Sequence, residues 1–372
     1  MVNVPLLDLV AQYRGIKDDV LRAVMTVIER QGFIMGPEVA QLENAVAQLS
    51  HTKHAIGCAS GTDALLLPLR ALDLMPGDEV ITTPFTFFAT AGTVHNTGGT
   101  PVFVDIDEAT FNISPRAIEA AIGPRTRAIL VVHLFGQMAA MEQILPIARR
   151  HGLPVIEDAA QSIGARRKVD GQWRLSGELG MAGTLSFFPS KNLGGYGDGG
   201  MIVTQDDALA ERLRRLRLHG GVKQYFHDEV GYNSRLDTLQ AAVLLAKLPH
   251  LAEWSRARAA HARRYSEAFA AHPVICPPKV DPLNEHIFHQ YTIRVPRRDE
   301  LQAALKAKGI GNAVYYPLPL HLQPCFAHLG YQRGALPVSE AAAASVISLP
   351  IYPELAREQQ DAVIDAVLGF YV

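Results

Sequence analysis

The sequence predicts an α/β fold: a large, mostly parallel sheet covered by helices on both faces, followed by a smaller C-terminal α/β unit. Three observations predict it. Short runs near residues 54–58, 79–83, 101–105, 127–132 and 153–157 are apolar throughout, as expected of strands buried on both faces. Stretches with helical spacing separate them, near 62–72, 88–97, 114–121 and 139–151. The chain has 372 residues, more than one hydrophobic core usually spans, so two domains are expected, 1–250 and 251–372.

Before the first strand, Ile16, Val20, Ala23, Val24, Val27 and Ile28 recur at helical spacing, which predicts an amphipathic helix over 15–31. The loop from Gly32 to Pro37 leads into a second helix over 38–49. Net charge is −2, which argues against an extended nucleic-acid or anionic-membrane surface. The three cysteines, Cys58, Cys276 and Cys325, are scattered without CxxC spacing, so neither a disulfide frame nor a metal site is expected. The first residues lack a basic leader pattern, and no apolar run approaches the ~20 residues of a membrane span. The cytoplasm is the expected compartment.

In a parallel sheet of this kind, ligands sit beyond the carboxyl ends of the strands. The first strand is followed by Ser60-Gly61-Thr62-Asp63, which opens a helix. Free backbone N–H groups, a glycine that permits close approach and a hydroxyl make a phosphate site there; plain N-capping by Ser60 or Thr62 fits equally well. The second strand is followed by Phe85, Phe87 and Phe88. Three aromatics in four positions suit either core filling or one ring stacked on a flat ligand. The fifth strand ends in Glu157-Asp158, with Gln161 placed by its spacing on the same face of a following helical turn. A basic stretch up to Ser176 reads as a surface hairpin.

Two further strands then frame Ser186-Phe187-Phe188-Pro189-Ser190-Lys191 and the glycine-rich run Gly194 to Gly200. A carboxylate at a strand end and a lone lysine among small residues suit pyridoxal phosphate (PLP). The lysine can take the cofactor aldehyde as a Schiff base, and the carboxylate can keep the ring nitrogen protonated. Gly195-x-Gly197-x-x-Gly200 matches a dinucleotide fingerprint, but a strand follows it where that fold needs a helix, so NAD is not expected. Residues 205–218 read as a helix, and a polar cluster from Gly231 to Asp237 precedes a helical run that continues to about 270. In the C-terminal part, 290–295 reads as a strand, 299–309 as a helix and the last dozen residues as another. Between them lies the proline-rich stretch Val314 to His321.

The ordered set SGTDAL (60–65), TPFTFFAT (83–90), EDAAQ (157–161), SFFPSKNLGGYGDGG (186–200), GYNSRLDTLQAA (231–242) and YYPLPLH (315–321) resembles the DegT/DnrJ/EryC1/StrS family. The resemblance runs over essentially the whole chain. It implies a fold type I PLP-dependent aminotransferase that converts a keto-sugar nucleotide to an amino-sugar nucleotide with L-glutamate as donor. It also implies that Lys191 carries the Schiff base, Asp158 partners the pyridine nitrogen, Gln161 meets the ring face or phenolic oxygen, and Phe87 stacks on the ring. Gly61, Thr62 and Ser186 would hold the phosphate. Asn233 would reach the phosphate of a neighbouring subunit's cofactor, which implies a homodimer with shared sites. Arg235, Tyr316 and His321 would contact substrate.

The motif wording is closest to enzymes that aminate C3 of a UDP- or dTDP-linked 3-keto sugar. A 4-keto sugar aminotransferase and a non-catalytic regulatory homologue are the alternatives. One departure stands out: Tyr315 occupies the place where the family commonly has His.

Overall fold

The computed structural model describes residues 3–221, 223 and 225–372. In chain order the elements are α1 (Leu9–Arg30), α2 (Pro37–Leu49), β1 (His54–Cys58), α3 (Gly61–Arg70), β2 (Glu79–Thr82), α4 (Ala89–Asn96), β3 (Thr100–Phe103), α5 (Pro115–Ala121), β4 (Thr126–Val132), α6 (Met141–Arg150) and β5 (Val155–Asp158). There follow β6 (Arg166–Val169), β7 (Gln172–Leu175), β8 (Ala182–Ser186), β9 (Gly200–Thr204), α7 (Asp207–Leu216), α8 (Thr238–Lys247) and α9 (Leu251–Phe269). The last elements are β10 (Asn284–Glu285), β11 (Tyr291–Arg294), α10 (Arg298–Ala307), α11 (Pro337–Ser345), β12 (Val346–Leu349) and α12 (Arg357–Leu368).

The main sheet has seven strands in the order β1-β9-β8-β5-β4-β2-β3. Only β9 runs against its neighbours; the other pairs are parallel. Its strands are largely buried because both faces are covered. Along β4, Ile129 and Val131 pack with Ile144 and Ile147 of α6 on one side. Ala128 and Leu130 pack with Leu65 and Leu69 of α3 on the other. At ~25 cal/mol per Å² of apolar surface removed from water, this double burial is the main drive for the sheet.

A second core gathers Tyr265, Phe269, Tyr291, Ile293, Leu301, Ile347 and Val363 around the antiparallel pair β11–β12, and Val4 from the N-terminus joins it.

Several elements differ from the expectation. Helix α1 begins at Leu9, capped by Asp8, whose carboxylate accepts the Ala11 N–H at 2.8 Å. The exposed Leu9 and Val10 hid that turn from a periodicity argument. The helical run after Asp237 breaks at Leu248–His250, where Pro249 sits, before α9 continues. No helix follows β5; residues 159–164 form turns. The β6–β7 hairpin is present, and β10 adds a third strand to it. Its Arg167 is buried between Glu142 and Asp281 rather than solvated. Among the described residues no helix is long and apolar enough to cross a membrane.

Candidate active site

The carboxyl ends of β1, β2, β5 and β8 open on one cavity of about 420 Å³. Asp158 ends β5 and is 5% exposed. One carboxylate oxygen accepts the Thr90 hydroxyl at 2.8 Å, the other the Ala160 N–H at 3.2 Å. Thr90 is in turn held by Thr86, hydroxyl to hydroxyl at 2.9 Å. Burial raises the Asp158 pKa, against the opposing pull of Thr90, Ala160 and the charge of Lys191. A carboxylate in that state is stabilised by any cation brought against it.

Lys191 sits in the loop between β8 and β9. That loop is tied by the Lys191 N–H to the Phe188 carbonyl at 2.8 Å and the Gly195 N–H to the Phe187 carbonyl at 2.7 Å. From α8, Gln240 accepts the Tyr196 N–H at 2.8 Å and the buried Lys247 ammonium donates to the Gly194 carbonyl at 2.6 Å. Gly194 is obligatory, since a Cβ there would lie 2.3 Å from the Pro189 carbonyl oxygen. Burial pulls the Lys191 pKa down to about 8, opposed by the charge of Asp158. Asn192 accepts a hydrogen bond from His289 Nδ1 at 2.9 Å while its own amide donates to the Ile287 carbonyl at 3.4 Å. That amide orientation makes His289 Nδ1 the protonated nitrogen.

Gly61 and Thr62 open α3, whose Ser60 cap accepts the Asp63 N–H at 3.0 Å. A Cβ on Gly61 would stand 2.6 Å from Ser186 Cβ, so glycine is what lets the helix terminus meet the end of β8. Capping and a phosphate cradle coexist there: Ser60 occupies one N–H, and Gly61, Thr62 and Ser186 line the cavity. The three aromatics divide by role. Phe85 is fully buried, Phe88 packs on Phe326 with centroids 5.8 Å apart, and Phe87 lines the cavity at 58% exposure.

Gln161 lines the cavity from a turn. It accepts the Phe135 N–H at 2.8 Å and donates to the Tyr316 hydroxyl at 3.1 Å, which fixes its amide. Tyr316 and Tyr315 both line the cavity.

The structure does not bring every expected residue there. Asn233 and Arg235 line a neighbouring cleft of about 450 Å³ that shares only Asp198 with the first. His321 is a correction: it is buried away from the cavity, with Nε2 3.2 Å from Glu340 and its ring edge-on to Tyr331. The other member of the acidic pair, Glu157, faces elsewhere. It accepts N–H groups of Gly177, Leu179 and Gly180 at 3.1, 2.7 and 2.6 Å and lies 2.7 Å from His133 Nε2. Because His133 Nδ1 accepts the Ala139 N–H at 3.1 Å, Nε2 is the donor to Glu157.

Thr90 and His289 are functional neighbours that sequence reasoning missed. Thr90 stood inside a motif already singled out, as the second residue of α4. His289 lies about a hundred positions from Asn192 in the chain, and no local pattern links them. Among the described residues no three His, Cys, Asp or Glu side chains converge as a metal site.

The residues fit PLP: a buried carboxylate in want of a cation, an amine with a lowered pKa, and a helix N-terminus closed by glycine and serine share one cavity. The chain is 54% identical to a "pleiotropic regulatory protein" of Geobacillus stearothermophilus, over 100% of this chain and 99% of that one. It is 48% identical to the UDP-N-acetyl-3-dehydro-alpha-D-glucosamine 3-aminotransferase of Acidithiobacillus ferrooxidans, over 98% and 97%. The crystal structure of Streptomyces venezuelae DesV with a ketimine intermediate superposes with a TM-score of 0.96 at 44% identity, covering 100% of this chain and 99% of that one. Residues 15–368 match the DegT/DnrJ/EryC1/StrS aminotransferase family, and the chain belongs to that family.

Proposed function

We propose that this protein is a PLP-dependent aminotransferase that moves the amino group of L-glutamate onto C3 of a nucleotide-linked 3-keto sugar. The observation that carries the reading is the convergence of Lys191 and Asp158 on one cavity, each with its charged form disfavoured by burial. The Acidithiobacillus relative is named for amination at C3 of a UDP-linked sugar, which supports the position. The Geobacillus relative carries a regulatory name, yet a protein that only bound a sugar nucleotide would need no amine of this kind beside a buried carboxylate.

When bound, PLP supplies an aldehyde that takes up amines and a ring that delocalises the electrons of a deprotonated carbon. Asp158 would hold the pyridine nitrogen protonated, its orientation fixed by Thr90. Gly61, Thr62 and Ser186 would receive the phosphate with backbone N–H and hydroxyl donors. Phe87 would cover one ring face and Gln161 would meet the ring face or phenolic oxygen.

Lys191 Nζ, once displaced by the amino donor, would remove the proton from the donor's Cα. Its pKa of about 8 keeps an appreciable fraction as free base near neutral pH. The two half-reactions then follow each other in a ping-pong cycle.

Asn233 and Arg235 would serve the site of a second subunit, because within one chain they face a separate cleft. The exposed apolar side chains of Leu21, Met25 and Ile28 on α1 and of Phe33, Ile34 and Met35 after it support a dimer. Tyr316 would contact substrate, and the cytoplasm would be the site of action.

The test is a product assay. Purified protein, PLP, L-glutamate and a panel of UDP- and dTDP-linked 3-keto and 4-keto sugars are incubated and the nucleotide sugars weighed by mass spectrometry. Amination of a 3-keto member is the expected result; amination of 4-keto members alone would overturn the C3 assignment.

A further inference from the structure

A small cavity of about 60 Å³ lies against the cofactor cavity, and Ser190, His289, Gln290 and Tyr315 border both. Arg258 of α9, which is 3% exposed, lines the small cavity but not the larger one. Arg258 Nη1 donates to the carbonyls of Phe288 and His289 at 3.3 Å each and of Ile351 at 2.9 Å. Among the described residues these are the only hydrogen bonds of the guanidinium, and it forms no salt bridge. Glu354 acts on it only through space, and burial pulls its pKa down to about 10. A buried cation without a partner is costly and is stabilised when an anion completes it. The nitrogens left over, Nε and Nη2, are the pair that meets a carboxylate side by side.

The reaction proposed above calls for such a group, and this inference rests on that reading. An amino-acid donor carries a carboxylate one bond from the carbon that loses its proton, whereas a keto sugar carries no charge there. The charged residues lining the larger cavity are Asp158, Asp198 and Lys191, two acids and an amine already engaged. His289 adds no charge, since burial and the nearby cations Lys191 and Arg258 hold its imidazole neutral. At ~10–15 Å³ per water-sized site, the small cavity has room for roughly four such groups, enough for a carboxylate and too little for a sugar ring. We infer that this cavity is the subsite for the α-carboxylate of the amino donor, with Arg258 as its anion-binding residue.

The experiment compares wild type with Arg258→Gln as PLP-loaded holoenzymes. The variant is expected to keep the yellow cofactor absorbance and to bleach with L-glutamate at least about 100-fold more slowly, the usual scale for losing a buried charge partner. Acetate, a bare carboxylate, is expected to compete with L-glutamate in wild type and to raise its melting temperature. Neither effect is expected in the variant. Bleaching within about threefold of wild type would overturn the inference. Because Arg258 also ties three carbonyls, a variant that fails to hold PLP leaves the decision to the wild-type arm, where absence of acetate competition overturns it. A wild type that L-glutamate does not bleach at all would instead remove the aminotransferase reading itself.

Discussion

Glu157 and Asp158 are consecutive residues of β5, yet their carboxylates serve opposite faces of the sheet. Alternation along a strand sends Glu157 to the turn at Gly177–Gly180 and to His133, and Asp158 to Thr90 and the cavity. One carboxylate is a structural acceptor for four donors. The other is held ionisable where ionisation is unfavourable.

Opposite outcomes are therefore expected from two similar substitutions. Glu157→Gln leaves buried N–H groups facing an amide nitrogen and is expected to cost roughly 2–4 kcal/mol in urea unfolding. Asp158→Asn is expected to unfold no more easily than wild type in the cofactor-free protein while losing turnover. The sign follows from linkage: a carboxyl whose pKa folding raises loses stability as pH climbs through the carboxylate range, and the amide removes that loss.

Lys191 sets a pH dependence. The free amine is the nucleophile, and its pKa lies at about 8 before cofactor is bound. The rate of PLP uptake by the cofactor-free protein is expected to rise with pH and level off above about 8, measured by stopped-flow absorbance. Lys191→Ala is expected to abolish transamination and leave the fold intact by circular dichroism. Retained turnover would contradict its role.

Gly61→Ala places a methyl 2.6 Å from Ser186 Cβ. Either α3 or β8 must shift, at about 1–3 kcal/mol. PLP affinity is expected to fall about 10-fold or more by equilibrium dialysis, since the N–H groups that would meet the phosphate move with the helix.

A shared-site dimer predicts complementation. Lys191→Ala and Asn233→Ala homodimers are each expected to be impaired. After mixing and subunit exchange, each hybrid has one intact site, so roughly a quarter of wild-type activity is expected to return. No recovery would contradict the sharing.

The large sheet was legible because each strand is apolar on both faces and each crossover helix is short and periodic. Asp158 and the α3 terminus were legible because they lie at strand ends, and Lys191 because it stands alone among small residues in the loop after β8. The rest depended on contacts between distant segments. Nothing near Asn192 points to His289, and nothing in α9 marks Arg258 off from the other arginines of that helix. Helix α11 and strand β12 escaped because Ala341–Ala343 and the short run Val346–Leu349 carry no distinct period. His321 ends a proline-rich stretch without regular period, and its burial depends on distant contacts such as the Leu320 N–H donated to the Pro84 carbonyl at 2.8 Å.

The most direct measurement of the central claim is the visible absorbance of the purified protein with PLP, before and after L-glutamate. Covalent capture of the aldehyde by Lys191 predicts a yellow band that bleaches on adding the donor and returns with a keto-sugar nucleotide. A protein that stays colourless in excess PLP, or whose colour L-glutamate leaves unchanged, would contradict it.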